Sequence, residues 1–414
     1  MEEAINKVQS SCVKTKDIHA LFLETAQKYH YPVAAWSLPF DDTQHIIMDI
    51  SGEVKQVEID LENMSPGFMV SPFGNDYGKE EALANYIYAD LHYDSRTENI
   101  HVSANKNREL GNAESLKEEL IHRLQEGLYL DHPLYFTNNV SSDNQEMSHD
   151  DFVKLIDLAK EQITQQRFKK VVPSRCQYVQ LPENFNLAAT FQRMCDMYPH
   201  AFVSAIALPG LGSWLGASPE ILVKTFMQNG NRIFKTMALA GTQKLDETAG
   251  IKNAAWRGKE IEEQAMVSRY IINCFKKIRL REFDEDGPHT VAAGNLLHLC
   301  TDLTVNMDQV NFPELGSVML KLLHPTSAVC GLPKEPALEF IQENEHYDRA
   351  LFAGFLGPVN INEQVNIFVN LRCMQLVGKR ALIYAGAGVT ADSDAEKEWQ
   401  ETSLKMQTLQ KVLF

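Results

Sequence analysis

From residue 148 onward, strand-like runs alternate with helical ones, and several of the strands alternate apolar with polar residues. A period of two is what a strand with one covered face requires. The pattern therefore asks for antiparallel sheets rather than the uniformly apolar strands of a doubly wound parallel sheet. Strands are expected at Lys169–Val172, Ala201–Leu208, Glu220–Thr225, Val365–Leu371 and Arg380–Ala385. Helices are expected at Leu187–Met197, Lys259–Phe275, Glu314–Leu323, Glu335–Glu343 and Ala395–Leu413. Ser148, three residues before Asp151 and ahead of Phe152, Leu155, Ile156, Ala159 and Ile163, offers a further helix its amino-terminal cap.

The earlier part reads differently. It holds short strand-like runs (Pro32–Pro39, His45–Ile50), a charged helical stretch (Ser115–Glu126) and then a polar segment from Ser141 to Glu146. There is no internal repeat and no Gly/Ser/Pro-rich linker, so residues 1–145 are read as a variable amino-terminal portion folded into the same α/β unit as residues 146–414.

Charge removes whole classes of function. A net charge of −16 leaves no overall positive field to gather nucleic acid or an anionic membrane, although a local basic pocket for a small anion stays possible. The seven cysteines are scattered, without any C-x-x-C pair, which argues against a disulfide framework or a zinc site and fits a reducing cytosol. The start, Met1-Glu2-Glu3-Ala4, is acidic where a secretory signal is basic. The most apolar stretch, Ala201 to Ala217, is broken by Pro209, Gly210, Gly212 and Ser213, so it does not read as a membrane span. A soluble cytoplasmic protein is expected.

Candidate chemistry is spread along the chain. Glu398 and Glu401 are three apart, so a helix projects both carboxylates from one side, and the glycine turn Gly386-Ala387-Gly388 precedes that helix. Glu260, Glu262 and Glu263 form a second acidic group on another expected helix. Two such helices meeting at one cleft would suit a hard cation such as Mg²⁺, whereas taken singly these acids read as solvated helix faces. In Phe168-Lys169-Lys170-Val171-Val172, strand alternation turns one lysine toward the covered face. An inward lysine loses solvation, which favours the uncharged amine and general-base chemistry; the plainer reading is an edge-strand lysine that deters aggregation. Arg372 and Lys405 are candidates for holding carboxylates. His298 and His324 stand among apolar residues and read as core histidines or ligand donors. No phosphate loop and no G-x-S-x-G string is present.

The order of the fragments says more than any one of them. Lys-Val-Val-x-Ser-Arg (170–175), Leu-Gly-Ala-Ser-Pro-Glu (215–220), Leu-Ala-Gly-Thr (239–242) and Lys-Glu-x-x-Glu (259–263) come first. His-Leu (298–299), Leu-His-Pro-Thr (323–326), Arg-x-Leu-Phe-Ala-Gly (349–354), Leu-Arg-Cys (371–373) and Ala-Gly-Ala-Gly-Val…Glu-Trp-Gln-Glu-Thr…Lys (385–405) follow. Over about residues 150–410 this set resembles the chorismate-binding enzymes: isochorismate, salicylate, anthranilate and aminodeoxychorismate synthases. The resemblance implies one large α/β (α+β) domain of two face-packed, mainly antiparallel sheets with helices outside, 146–414 being the catalytic portion. It implies chorismate as substrate and Mg²⁺ as cofactor. Lys170 looks like the general base and Glu220 the general acid. Glu263, Glu401 and, directly or through water, Glu398 look like metal ligands. Arg372, Lys405 and Tyr384 look like the groups around the substrate carboxylates, helped by the Gly241 and Gly386–Gly388 turns. Ala217, Thr242, His298 and Ala328 complete the implied substrate contacts.

Within the family, Lys170 resembles members that use water, since water needs a base before it attacks C2 while ammonia is already a nucleophile. Ala240 stands where aminodeoxychorismate synthases resemble Pro-Ile-Lys-Gly-Thr with a nucleophilic Lys, and no glutaminase subunit is expected. Salicylate synthases share the base and are the alternative; they resemble Phe-Pro-Ser-x-Thr-Ala, whereas Ala328 occupies that Thr position here. The implied activity is isochorismate synthase, an isomerase feeding menaquinone or a catechol siderophore, as a monomer or weak dimer. A chorismate-binding protein without catalysis is the remaining reading. Two departures from the family pattern stand out: Ala238 replaces a usual Pro, and Ile261 and Gln264 replace a usual Arg and His.

Overall fold

Local signals start several elements where expected. Ser148 caps its helix with extended backbone and accepts a hydrogen bond from the Asp151 N–H, and Asn186 does the same for Ala189. The computed structural model describes residues 15–74, 83–103, 112–128, 136, 145–244, 254–293 and 296–414. Met1–Ala4, Cys12 and Ser141–Asn144, used above, lie outside those residues.

In chain order α1 (Thr15–Tyr29) precedes β1 (Val33–Ser37), β2 (Gln44–Met48), β3 (Lys55–Val57) and β4 (Gly67–Ser71). Next are β5 (Ala84–Tyr88), β6 (Leu91–Asp94), β7 (Asn99–Val102), α2 (Ala113–Gln125) and α3 (His149–Thr164). Then come β8 (Lys170–Val171), β9 (Ser174–Gln180), α4 (Leu187–Met197), β10 (Phe202–Leu208), β11 (Gly212–Ser218), β12 (Ile221–Gln228) and β13 (Asn231–Lys244). α5 (Gly258–Lys277) is followed by β14 (Asp284–Ala293), β15 (Leu296–Asn306), α6 (Leu315–Leu323), β16 (Gly331–Leu332) and α7 (Lys334–Asn344). The last elements are β17 (Phe355–Val359), β18 (Val365–Val369), β19 (Cys373–Val377), β20 (Arg380–Gly386) and α8 (Ala395–Leu413).

The strands form two nine-stranded sheets, β7-β6-β2-β1-β10-β11-β19-β20-β9 and β14-β15-β13-β12-β18-β17-β4-β5-β3, plus the short pair β16-β8. Every described pairing is antiparallel, as the alternation requires. Strands from the first 145 residues are built into both large sheets. The two sheets pack face to face: the rings of Phe202 in β10 and Phe368 in β18 stack with centroids 4.1 Å apart.

The central strands differ from a simple half-covered pattern. β10 and β11 are buried along their whole length. Phe202, Ile206 and Leu208 face the inter-sheet core, while Val203, Ala205 and Ala207 face a second core shared with α1, α2, α4 and α8. Helices on the outer face replace water there, so the strand alternates which core it faces. Between β10 and β11 the expected breaker residues make the turn, with Gly210 at φ +79°.

Several elements fall outside the sequence expectations, strands β3–β7, β9, β11, β13, β15 and β19 among them, and two show why. α1 is one, although Ile18, Leu21, Phe22 and Ala26 carry the spacing of a buried helix face. β14 is the other: Gly287-Pro288 punctuates it like a loop, but lies where the register against β15 shifts between Asp286 and His289, so pairing continues past a bulge. Among the described residues, no helix is long and apolar enough to cross a membrane.

Candidate active site

A cleft opens between strand ends and helices. It gathers Lys170 from β8, Glu220 before β12, Gly241 and Thr242 from β13, Glu263 from α5, His298 from β15 and Ala328. Arg372, Tyr384, Gly386, Gly388, Glu401 and Lys405 complete that side of the lining. Two expected residues stand outside it. Ala217 points into the outer core with Leu215 and Met374, because β11 alternation puts it on the face opposite Trp214. Its contribution is a backbone one, its N–H donating to the Arg372 carbonyl at 3.0 Å. Glu398 is buried behind the lining, where its Oε1 accepts from the Lys259 ammonium at 2.5 Å.

Lys170 is 3% exposed and Glu220 likewise 3%. Strand β8 is tied on both sides, to β16 by pairing and to Val389 by reciprocal backbone bonds. The glycine turn passes directly over the lysine: a Cβ at Gly388 would lie 3.0 Å from Lys170 Cε and 3.6 Å from Glu263 Oε1. A side chain at this position would press on the lysine, which glycine avoids. Burial pushes the Glu220 carboxyl up to about 8, against the pull of Lys170 and Lys405. At neutral pH it is a proton donor.

The carboxylate group is sharply divided. Glu262 is exposed and Glu260 caps α5 by accepting from the Arg257 N–H at 3.0 Å, so of that acidic run Glu263 alone turns inward. Burial raises the pKa of Glu263; burial and the neighbouring Glu401 raise that of Glu398. Burial also opposes ionisation of Glu401, but the Lys405 ammonium 2.6 Å away outweighs it and holds the carboxyl below its usual range. Lys405 also donates to the Gly386 carbonyl at 2.8 Å.

Arg372 sits at φ +47° and donates to His298 Nε2 at 3.3 Å. The other ring nitrogen of His298 donates to the Gly241 carbonyl at 2.7 Å, which sets the neutral tautomer. Burial and the nearby guanidinium lower the imidazole pKa to about 3. Gly241 provides that carbonyl from φ +67°, where β13 shifts register. Tyr384 reaches the cleft with its ring, stacked on Phe352 and Trp214; its hydroxyl donates to Gln375 at 3.2 Å rather than into the cleft. His324 lies against Phe355 outside the lining.

Three further lining or supporting groups carry no assigned role in the sequence reading: Ser174, Arg349 and Glu345. Glu345 accepts from Arg349 Nε and Nη2 at 2.7 and 2.6 Å and from Ser174 N at 2.6 Å. Arg349 also donates to the carbonyls of Val172 and Val329. The pair thereby clamps the chain just after Lys170 to the loop that follows Ala328. The signal was thin: a Glu and an Arg four apart, beside the Arg-x-Leu-Phe-Ala-Gly string. The two departures from family pattern prove to be neighbours, since Gln264 Nε2 donates to the Ala238 carbonyl at 3.1 Å.

Comparison with known proteins gives the family and the fold. Residues 88–414 match the family model described as chorismate binding enzyme. The vibriobactin-specific isochorismate synthase of Vibrio cholerae is 29% identical over 247 residues, covering 58% of this chain and 60% of that protein. Isochorismate synthase EntC of Escherichia coli is 28% identical over 249 residues, covering 59% and 62%. The chain thus spans about three fifths of the length of the curated relatives it matches. In fold it is similar to the menaquinone-specific isochorismate synthase MenF of Escherichia coli, with a TM-score of 0.73 at 21% identity over 99% of this chain and 93% of that one. It is also similar to anthranilate synthase component I of Streptococcus pneumoniae, with a TM-score of 0.65 at 19% identity over 91% and 90%.

Proposed function

This chain belongs to the chorismate-binding enzyme family, and on that premise we propose that it is an isochorismate synthase. Water adds at C2 of chorismate and the C4 hydroxyl leaves as water, while the ring double bonds shift from C1–C2 and C5–C6 to C1–C6 and C4–C5. One water enters and one departs, so the product is an isomer. Lys170 accepts the proton of the attacking water, and Glu220, protonated, donates to the departing hydroxyl. Afterwards the lysine is an ammonium and Glu220 a carboxylate, and exchange with solvent restores both.

One observation carries the reading: a single cleft holds a buried amine and a carboxyl pushed up to about 8. An amine and a proton-bearing carboxyl beside one substrate are the pair that simultaneous base and acid catalysis needs. Arg372 and Lys405 answer the substrate's two carboxylates, with His298 orienting the guanidinium. Glu263, Glu398 and Glu401 are an all-oxygen donor set, and burial holds the first two above the usual carboxylate range despite the ammoniums near them. By donor chemistry they suit a hard divalent ion and would hold Mg²⁺. When bound, Mg²⁺ supplies charge stabilisation at the ring carboxylate.

Ala328 offers the cleft no hydroxyl, which favours release of isochorismate over a further elimination of pyruvate. The enzyme would act in the cytoplasm without a glutaminase partner and feed menaquinone or a catechol siderophore. The test is to incubate the chain with chorismate and Mg²⁺, with and without ammonium, and to identify products by mass and absorbance. Isochorismate in both reactions is expected. Salicylate with pyruvate, an aminated product or no turnover would each overturn the proposal.

A further inference from the structure

Lys259 stands between Glu398 and Glu263. It projects from the first turn of α5, with Nζ 2.5 Å from Glu398 Oε1 and 3.8 Å from Glu263 Oε1. Glu401 also contributes to its electrostatic surroundings. One ammonium therefore bridges the acids of α5 to those of α8. Its side chain is 31% exposed, so it is not locked into the core as Arg349 is.

Resting on the reading of these acids as Mg²⁺ ligands, we propose that Lys259 is a resident counter-cation that competes with the metal. Metal entry is then an exchange: the ammonium gives up the Glu398 and Glu263 oxygens as the divalent ion takes them. Two physical facts require this. Mg²⁺ demands short, near-octahedral bonds to oxygen, which an ammonium hydrogen-bonded to the same carboxylate obstructs. Two cations within a few ångströms also repel strongly in a partly desolvated site. The exchange offsets part of the acids' charge without metal and holds the metal loosely. An anionic substrate then restores the negative charge that Lys259 offsets, so metal and substrate strengthen each other's binding.

The experiment is calorimetric titration of Mg²⁺ alone into the full chain, without chorismate, for the wild type, Lys259→Met, Lys259→Gln and Lys259→Arg. Lys259→Met and Lys259→Gln should each bind Mg²⁺ roughly tenfold or more tightly than the wild type, because one facing charge has been removed. Lys259→Arg keeps the charge and should not tighten. Lys259→Gln can still donate to Glu398, so it guards against loss of folding in the Met variant, and a melting curve in chelator checks both. Measurable wild-type binding that is unchanged or weakened in the folded Met and Gln variants overturns the role of Lys259 alone. No Mg²⁺ binding by any of the four at millimolar concentration overturns the metal reading and this proposal with it.

Discussion

Arg349 and Glu401 both line the cleft, yet the charges around them are balanced differently. Arg349 and Glu345 are closed on themselves: two bonds join them, backbone carbonyls take two more guanidinium donors, and Phe73 lies against the guanidinium at 4.3 Å. Burial works against the charge on Arg349, but Glu345 more than compensates and raises its pKa. Around Glu401 the account stays open. Glu220, Glu263 and Glu398 all sit above the usual carboxylate range because burial outweighs the nearby ammoniums. A completed pair needs nothing more and serves to hold backbone in place. An incomplete one has charge left over for a ligand, and that difference separates scaffold from working surface within a single cavity.

The largest effect should come from the open side. Lys170→Ala should lower the rate of isochorismate formation by ~10²–10⁴ while leaving the urea unfolding midpoint at or above that of the wild type, since it deletes a buried amine. Near-native turnover would remove Lys170 as the base. On the closed side the pattern should invert. Arg349→Met leaves Glu345 as an uncompensated buried charge, and urea unfolding should show a loss of about 3–5 kcal/mol. A loss under about 1 kcal/mol would show that the clamp is not structural.

Glu220 gives a pH-dependent version of the same contrast. Its folded pKa, about 8, lies above the ordinary value of 4.5 expected of the unfolded chain. The folded state therefore holds the proton more tightly; that stabilisation is whole below the unfolded value and is lost as pH rises through about 8. Glu220→Gln carries no such proton, so between pH 5 and 8 its unfolding free energy should gain on the wild type by about 1 kcal/mol per pH unit. Parallel pH profiles would show that the carboxyl is not held protonated. Gly388→Ala should act more gently, because its new methyl meets Lys170 Cε at 3.0 Å and shifts the amine. A fall in kcat of roughly 10–100-fold with a smaller change in KM is expected, and an unaltered kcat would mean that Lys170 has slack.

How much of this was readable before folding depends on how far apart the partners lie. α4 and α8 appear at their expected ends, since Asn186 and Asp394 cap them locally. Lys170 is harder: on a two-residue strand it looks like an edge lysine, and only the ordered strings 170–175 to 385–405 marked it out. Lys259 meets Glu398 across 139 residues and Ser174 meets Glu345 across 171, and no window of sequence contains both members of either contact. Ala217 was legible as part of an ordered string, but the direction of its side chain was not. The alternation that places Trp214 toward Tyr384 necessarily turns Leu215 and Ala217 to the other core.

The smallest effect tests whether the open cluster is defined by position rather than by acidity. Glu262 and Glu263 are adjacent, identical in chemistry and on one helix, yet the first is exposed and the second is 8% exposed and lines the cleft. A helix turns about 100° per residue, so neighbours cannot share a face. Glu262→Gln should therefore change unfolding free energy by no more than about 0.5 kcal/mol and leave Mg²⁺ titration curves superimposable on the wild type. Glu263→Gln in the same titration should lose measurable binding. If the two variants behave alike, the acids act as a diffuse negative field and the distinction between a closed clamp and an open, ligand-seeking site fails at its most sensitive point.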